Sequence, residues 1–182
     1  MAPKIDPPRG RFARESEVIM TELVLPHHTN TIGTVFGGMV MSWVDIAAAI
    51  CAERHSHKQV VTASVDAMEF LAPVKLGWII TLKASVNYVW STSCEIGVKV
   101  TAENSRTGES FHTASAYVTM VALDSNGRPT TMPPILPETD VQKRRYAEAQ
   151  ARRKFRLELK RQNAERQTKE GADQPISDIQ KL

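Results

Sequence analysis

Hydrophobic positions change their period twice along this chain. Between Glu17 and Leu25, apolar residues at 18, 19, 20, 23, 24 and 25 give an imperfect strand pattern that Pro26 ends. His27 to Gly38 reads as a loop containing Asn30, Gly33, Gly37 and Gly38. From Met39 to Arg54 the period becomes helical, with Met39, Val40, Trp43, Val44, Ala47, Ala48, Ile50 and Cys51 in phase. Apolar residues surround most of this helix, and Ala47, Ala48 and Ala49 allow close approach by a neighbour, so it is expected to be wrapped by sheet. Four strands are then predicted. The first runs from Val60 to Phe70, where Met68 and Phe70 switch parity and place a bulge or edge near Ala67. The second runs from Trp78 to Val89. The third alternates cleanly through Cys94, Ile96, Val98, Val100 and Ala102, and the fourth runs from Phe111 to Leu123. Asp124 to Pro129 is a turn, and a charged helix is predicted from Glu138 to Gln167.

One helix followed by an antiparallel meander excludes a βαβ fold. The pattern predicts an α+β architecture, a curved antiparallel sheet around the Met39 helix with a peripheral C-terminal helix. Such a sheet has edges to protect, and pairing them across a two-fold axis does so. Residues 1–15, rich in Pro and Arg, read as disordered, 16–136 as the folded domain, 137–170 as a basic helix and 171–182 as a flexible tail.

Composition narrows the class. At 182 residues the chain holds one core, or two very small ones. The apolar stretch near 35–52 is broken by Ser42 and Asp45, too short and polar for a membrane span. The first fifteen residues lack the apolar run of a secretory signal. Cys51 and Cys94 sit in apolar patterns, as reduced thiols of a cytoplasmic protein would. The net charge of +3 is uneven: residues 141–170 hold 11 Lys and Arg against 4 Asp and Glu, while residues 1–140 are slightly acidic. The basic segment lacks the interleaved aromatics that stack bases, so nucleic acid is not the expected partner.

Asp45 is the chemical anomaly, the one charged side chain between Met39 and Ala52. A carboxylate in an apolar helix is costly unless it is paired or used. Just before it, Gly37 and Gly38 lead into a helix N-terminus whose free N–H groups can hold an oxyanion. A carboxylate and an oxyanion hole suffice to hydrolyse an activated acyl compound. No serine elbow, nucleotide fingerprint or metal-ligand spacing competes with this reading. Gly38 and Asp45 share a helix face but lie about 10 Å apart along the axis. Two antiparallel helices related by a dyad would bring one chain's Asp45 toward the other's Gly38.

The stretches NTIGTVFGGMVMSWVD (30–45), VVTASVDAMEFLAPVKLG (60–77) and AYVTMVALDSNGRP (116–129) resemble the hotdog-fold acyl-CoA thioesterases, specifically the cytoplasmic acyl-CoA hydrolase type. The resemblance covers roughly residues 16–160. It implies the hotdog fold, a homodimer as minimal unit, a trimer of dimers as assembly and acyl-CoA as substrate. No cofactor is implied, since coenzyme A belongs to substrate and product. By the same resemblance Asp45 is the catalytic carboxylate, Asn30 positions water or carbonyl from the partner chain, Gly38 donates the oxyanion contact and Thr62 orients the site. Gly37, Met39, Trp43 and Met68 are the expected neighbours of the acyl chain, and Lys75, Arg144 and Arg145 the candidate contacts to CoA phosphates. Two other readings stay open on the same fold: a non-catalytic acyl-CoA-binding or regulatory protein, and a hydroxyacyl-thioester dehydratase, which would want a histidine paired with a carboxylate.

Overall fold

The computed structural model describes residues 9–170. The tail expected at 171–182 and the first eight residues lie outside them. Five strands form one antiparallel sheet in the order β2–β4–β5–β6–β3: β2 (Val18–Leu23), β3 (Gln59–Val65), β4 (Ile79–Val89), β5 (Ser93–Glu103) and β6 (Ser110–Leu123). Helix α1 (Gly37–Ser56) packs on one face. Its buried residues Val40, Trp43, Val44, Ala47, Ala48, Cys51 and Ala52 form a single core with Ile80, Leu82, Ile96, Val98, Val100, Val118 and Met120. The clean alternation in β5 places Cys94, Ile96, Val98, Val100 and Ala102 on that face, all buried. This is the curved sheet around a helix that the periodicity predicts.

Three boundaries differ from the sequence reading. First, α1 starts at Gly37, before the first periodic residue. Phe36 is extended at the N-cap, and two glycines make the first turn without contributing to any apolar period. Second, β3 stops at Val65 instead of Phe70. Its irregularity lies at Ala63, between the pairs Thr62–Met120 and Ser64–Thr119, and not near Ala67. The parity switch at Met68 and Phe70 marks chain that has left the ladder. Residues 66–78 are irregular, tied to β6 by Asp66 N–H to Tyr117 O (3.0 Å) and Leu71 N–H to Thr113 O (2.8 Å).

The third correction is at the N-terminus. Residues 9–15 fall in the segment read as disordered, yet they are structured. β1 (Arg11–Phe12) pairs in parallel with β7 (Ile135–Leu136), and a 3-10 turn follows at Ala13–Glu15 with Ala13 buried. The Arg11 guanidinium donates to the carbonyls of Arg54 (3.1 Å) and His55 (3.0 Å) at the C-terminal end of α1, where orphan acceptors and the negative pole of the helix dipole favour a cation. A two-residue strand has no period to read, and the segment is held by its pairing with β7 and by this side-chain contact. Helix α1 ends at His57, which takes the left-handed conformation (φ 53°, ψ 36°).

Helix α2 (Asp140–Glu170) begins in the first of two compact units and continues in the second, the division falling between Tyr146 and Ala147. In the first, the Tyr146 ring lies 4.4 Å from that of Tyr88. In the second, Arg161 pairs with Glu158 (2.8 Å) and Glu165 (2.7 Å) along the helix and holds the Glu158 carboxyl down at about 2. No helix among the described residues is long and apolar enough to cross a membrane.

Candidate active site

Asp45 lies in the third turn of α1, half-buried, on the stripe that also carries Gly38, Met41, Ser42 and Ile46. Met41 and Ile46 are 48% and 45% exposed, so this stripe is open in the single chain while the opposite one is buried. The expectation of a carboxylate sunk in an oily environment is corrected accordingly. β3 runs past the open stripe, and the Thr62 hydroxyl donates to Asp45 Oδ1 at 2.5 Å, the length of a charge-assisted O–H···O⁻ bond. The irregularity at Ala63 adjoins Thr62, as bulges that re-aim side chains beside active sites do. Asp45 thus meets a threonine hydroxyl, where a dehydratase would be expected to place an imidazole.

Gly38 is the second residue of α1. Its N–H is one of the orphan donors of the helix start and has no acceptor among the described residues. A Cβ at Gly38 would meet nothing within 4 Å in this chain, so internal packing does not require glycine there, whereas a Cβ at Gly37 would lie 3.3 Å from the Phe70 ring. Asn30 organises the preceding loop. Its Oδ1 accepts from the N–H groups of Ile32 and Thr34 (both 3.1 Å), and its Nδ2 donates to Thr34 Oγ1 (2.9 Å), leaving one amide hydrogen uncommitted. The structure therefore brings Asp45 to Thr62 and Asn30 to the loop before Gly38. The two groups stay separated along α1 by about 10 Å, seven residues of helical rise.

A cleft of about 370 Å³ opens beside the helix start. Thr34 and Val35 from the loop, Gly37 and Val40 from α1, residues 70–74 and Thr113 from β6 line it. Of the expected acyl neighbours only Gly37 is there. Trp43 is 5% exposed and packs edge-on against His28, while Met39 and Met68 lie half-buried against the core; none of the three lines this cleft. Lys75 adjoins Val74 and bridges to the Thr34 backbone, which puts it at the cleft's edge. Arg144 and Arg145 sit near the start of α2 and do not line the cleft. Sequence reasoning missed Phe70, Leu71 and Thr113. The parity switch at Met68 and Phe70 was the one available sign that this segment leaves the ladder.

Other chemistry is poorly placed. Burial pushes the Cys51 thiol up to about 12 and the Cys94 thiol higher still, so neither offers a thiolate. Among the described residues, no group of three His, Cys, Asp or Glu side chains is placed to hold a metal ion.

Residues 32–109 match the model of the thioesterase superfamily. A Bacillus subtilis protein named as an uncharacterised acyl-CoA thioester hydrolase is 38% identical over 171 residues, covering 94% of this chain and 99% of its own. The chain belongs to the hotdog-fold acyl-CoA thioesterase family. Among solved members, an apo hexameric acyl-CoA thioesterase superposes with a TM-score of 0.81 at 38% identity, over 83% of this chain and 97% of that one. An acyl-CoA hydrolase from Staphylococcus aureus, solved with butyryl coenzyme A and coenzyme A, gives 0.78 at 36% identity over 87% and 98%. That hydrolase was also solved with an asparagine, an aspartate and a threonine each replaced by alanine. The three are spaced along its chain by the same intervals as Asn30, Asp45 and Thr62.

Proposed function

We propose that this chain is an acyl-CoA thioesterase, splitting fatty acyl-CoA with water into a free fatty acid and coenzyme A. The observation that carries the reading is the Thr62–Asp45 hydrogen bond beside a helix whose N-terminal Gly38 N–H is uncommitted. Asp45 takes a proton from a water whose oxygen adds to the thioester carbonyl carbon, or attacks that carbon itself to form a mixed anhydride that water then opens. The oxyanion forms against the Gly38 N–H. The C–S bond breaks with its electron pair on sulfur, and the thiolate needs little acid assistance because a free thiol has a pKa of about 8.5. Asn30 uses its remaining amide hydrogen to hold water or carbonyl. Lys75, at the cleft's edge, is the best placed of the three basic candidates for CoA phosphate, with Arg144 and Arg145 as further contacts.

The active unit is a dimer, because Asp45 and the Gly38–Asn30 group sit too far apart in one chain. β3 supports this. It is an edge strand with Val61 46% and Val65 41% exposed, beside the open stripe of α1. A trimer of dimers agrees with the hexameric relative. Both cysteines are free and buried, which fits a reducing, cytoplasmic compartment.

The test is release of free thiol from an acyl-CoA chain-length series. Asp45→Asn should fold normally and lose turnover by about a hundred- to ten-thousandfold. Full turnover by that variant would remove Asp45 from the chemistry. Binding without release by the wild type would favour the non-catalytic reading. Single-turnover labelling with heavy-oxygen water identifies a nucleophilic Asp45, because solvent oxygen enters its carboxylate only through an anhydride that opens at the Asp45 carbonyl.

A further inference from the structure

One wall of the cleft carries a group that the hydrolytic machinery does not use. Thr113 lines the cleft and is 1% exposed, and its hydroxyl has no hydrogen-bond partner among the described residues. A buried orphan hydroxyl is costly and uncommon, so it calls for a physical reason. The register of β6 supplies part of one. Val100 pairs with Ala114 and Thr101 with His112, which leaves Thr113 as an extra residue. This bulge breaks the alternation, so that Thr113 and Ala114 are buried in succession. It also presents the Thr113 carbonyl to Leu71 N–H at 2.8 Å, fixing the segment that forms another wall of the cleft. The hydroxyl oxygen is closed off from solvent in this rotamer, and rotation about χ1 exchanges it with the methyl group.

Val35, Val40, Leu71, Pro73 and Val74 make the lining largely apolar, and no charged side chain contributes to it. The Thr34 hydroxyl oxygen accepts from Asn30 Nδ2, which fixes its place on the loop side of the cleft and leaves its hydrogen to donate. Resting on the thioesterase reading, we propose that Thr113 determines specificity by hydrogen-bonding a neutral oxygen carried on the acyl chain, a hydroxyl or keto group. The cleft then favours oxygen-bearing acyl thioesters over saturated ones of equal length. A saturated chain fills the space but leaves the hydroxyl unpaired, and a chain ending in carboxylate brings a charge that no cation in the lining meets.

The experiment compares kcat/KM for saturated acyl-CoA with that for hydroxyacyl-CoA bearing its hydroxyl at the 3-position or at the chain end, in wild type, Thr113→Val and Thr113→Ser. Valine keeps the β-branched shape and removes the donor. The wild type should prefer a hydroxyacyl substrate. Thr113→Val should cut that preference about tenfold, lowering the hydroxyacyl rate and raising the saturated one, and Thr113→Ser should restore it. A defect of folding lowers both rates together and cannot produce opposite changes. An unchanged ratio, or a parallel loss in a valine variant that unfolds at the wild-type temperature, overturns the proposal. Should Thr113→Val not fold, a wild type with no hydroxyacyl preference overturns it equally. Failure of the wild type to release thiol from any acyl-CoA is a different result, and it overturns the thioesterase reading instead.

Discussion

Asp45 takes a hydrogen bond from Thr62 at 2.5 Å, and that contact makes its two carboxylate oxygens inequivalent. Thr62 was legible in the sequence only through its family position, because strand periodicity treats it as one polar residue among several. On the proposed mechanism its role is positioning, so Thr62→Val should leave KM little changed and lower kcat by about ten- to a hundredfold, as a small misplacement of a catalytic group does. Equal kcat in steady-state assays of the two proteins would show that Asp45 needs no such support. A second residue-scale expectation concerns His55. Burial, above all, pushes its imidazole below the usual 6.5, with Arg11 acting in the same direction and the Pro133 carbonyl opposing. Its Nε2–H donates to that carbonyl at 2.8 Å, and Nδ1 has no partner among the described residues. The unfolded chain therefore binds more protons between the depressed value and 6.5. The stability contribution is full above about pH 6.5 and falls as the pH drops through that window. Urea midpoints measured from pH 7.5 to 5 should decline, and His55→Gln, which keeps a donor for Pro133, should flatten the decline. Parallel pH dependences in the two proteins would assign the effect elsewhere.

At the scale of elements, legibility followed periodicity. α1, β4, β5 and β6 carry long apolar patterns and lie close to where the pattern puts them. The ends of α1 did not follow, because glycine starts it and a left-handed His57 ends it, and neither has a hydrophobic signature. β1 was illegible for a related reason, since two paired residues and an arginine on helix carbonyls give no pattern at all. The cleft was the least legible part. Its walls come from the irregular 66–78 segment and from a bulge at Thr113, features set by register and not by composition. His57 offers a measurement. An L-residue in the left-handed region is disfavoured relative to glycine, and the position is solvent-exposed. His57→Gly should raise stability by about 0.5–1 kcal/mol after the greater freedom of glycine in the unfolded chain is offset. Denaturant unfolding gives the answer, and a lower midpoint would mean that the His57 side chain contributes more than its backbone strain removes.

At the scale of the whole molecule, the proposed site is divided between surfaces that one chain does not bring together. Asp45 and Thr62 occupy the junction of α1 with the edge strand, and Asn30 and Gly38 occupy the start of the same helix. A two-fold axis along the β3 edge would close both sites at once, each taking Asp45 from one protomer and Asn30 from its partner. This arrangement has a consequence that a site contained in one chain does not share. Asp45→Ala and Asn30→Ala proteins should each be inactive as homodimers. In a mixed dimer one site carries both substitutions and the other carries neither. Random pairing at equal amounts makes half the dimers mixed, so co-refolding the two inactive proteins should return about a quarter of wild-type activity. If instead each site used residues of a single chain, every site would keep a defect and no activity would return. Omitting the refolding step controls for exchange: protomers that stay paired should show no recovery on simple mixing, and recovery should appear only once the chains have been separated and re-associated.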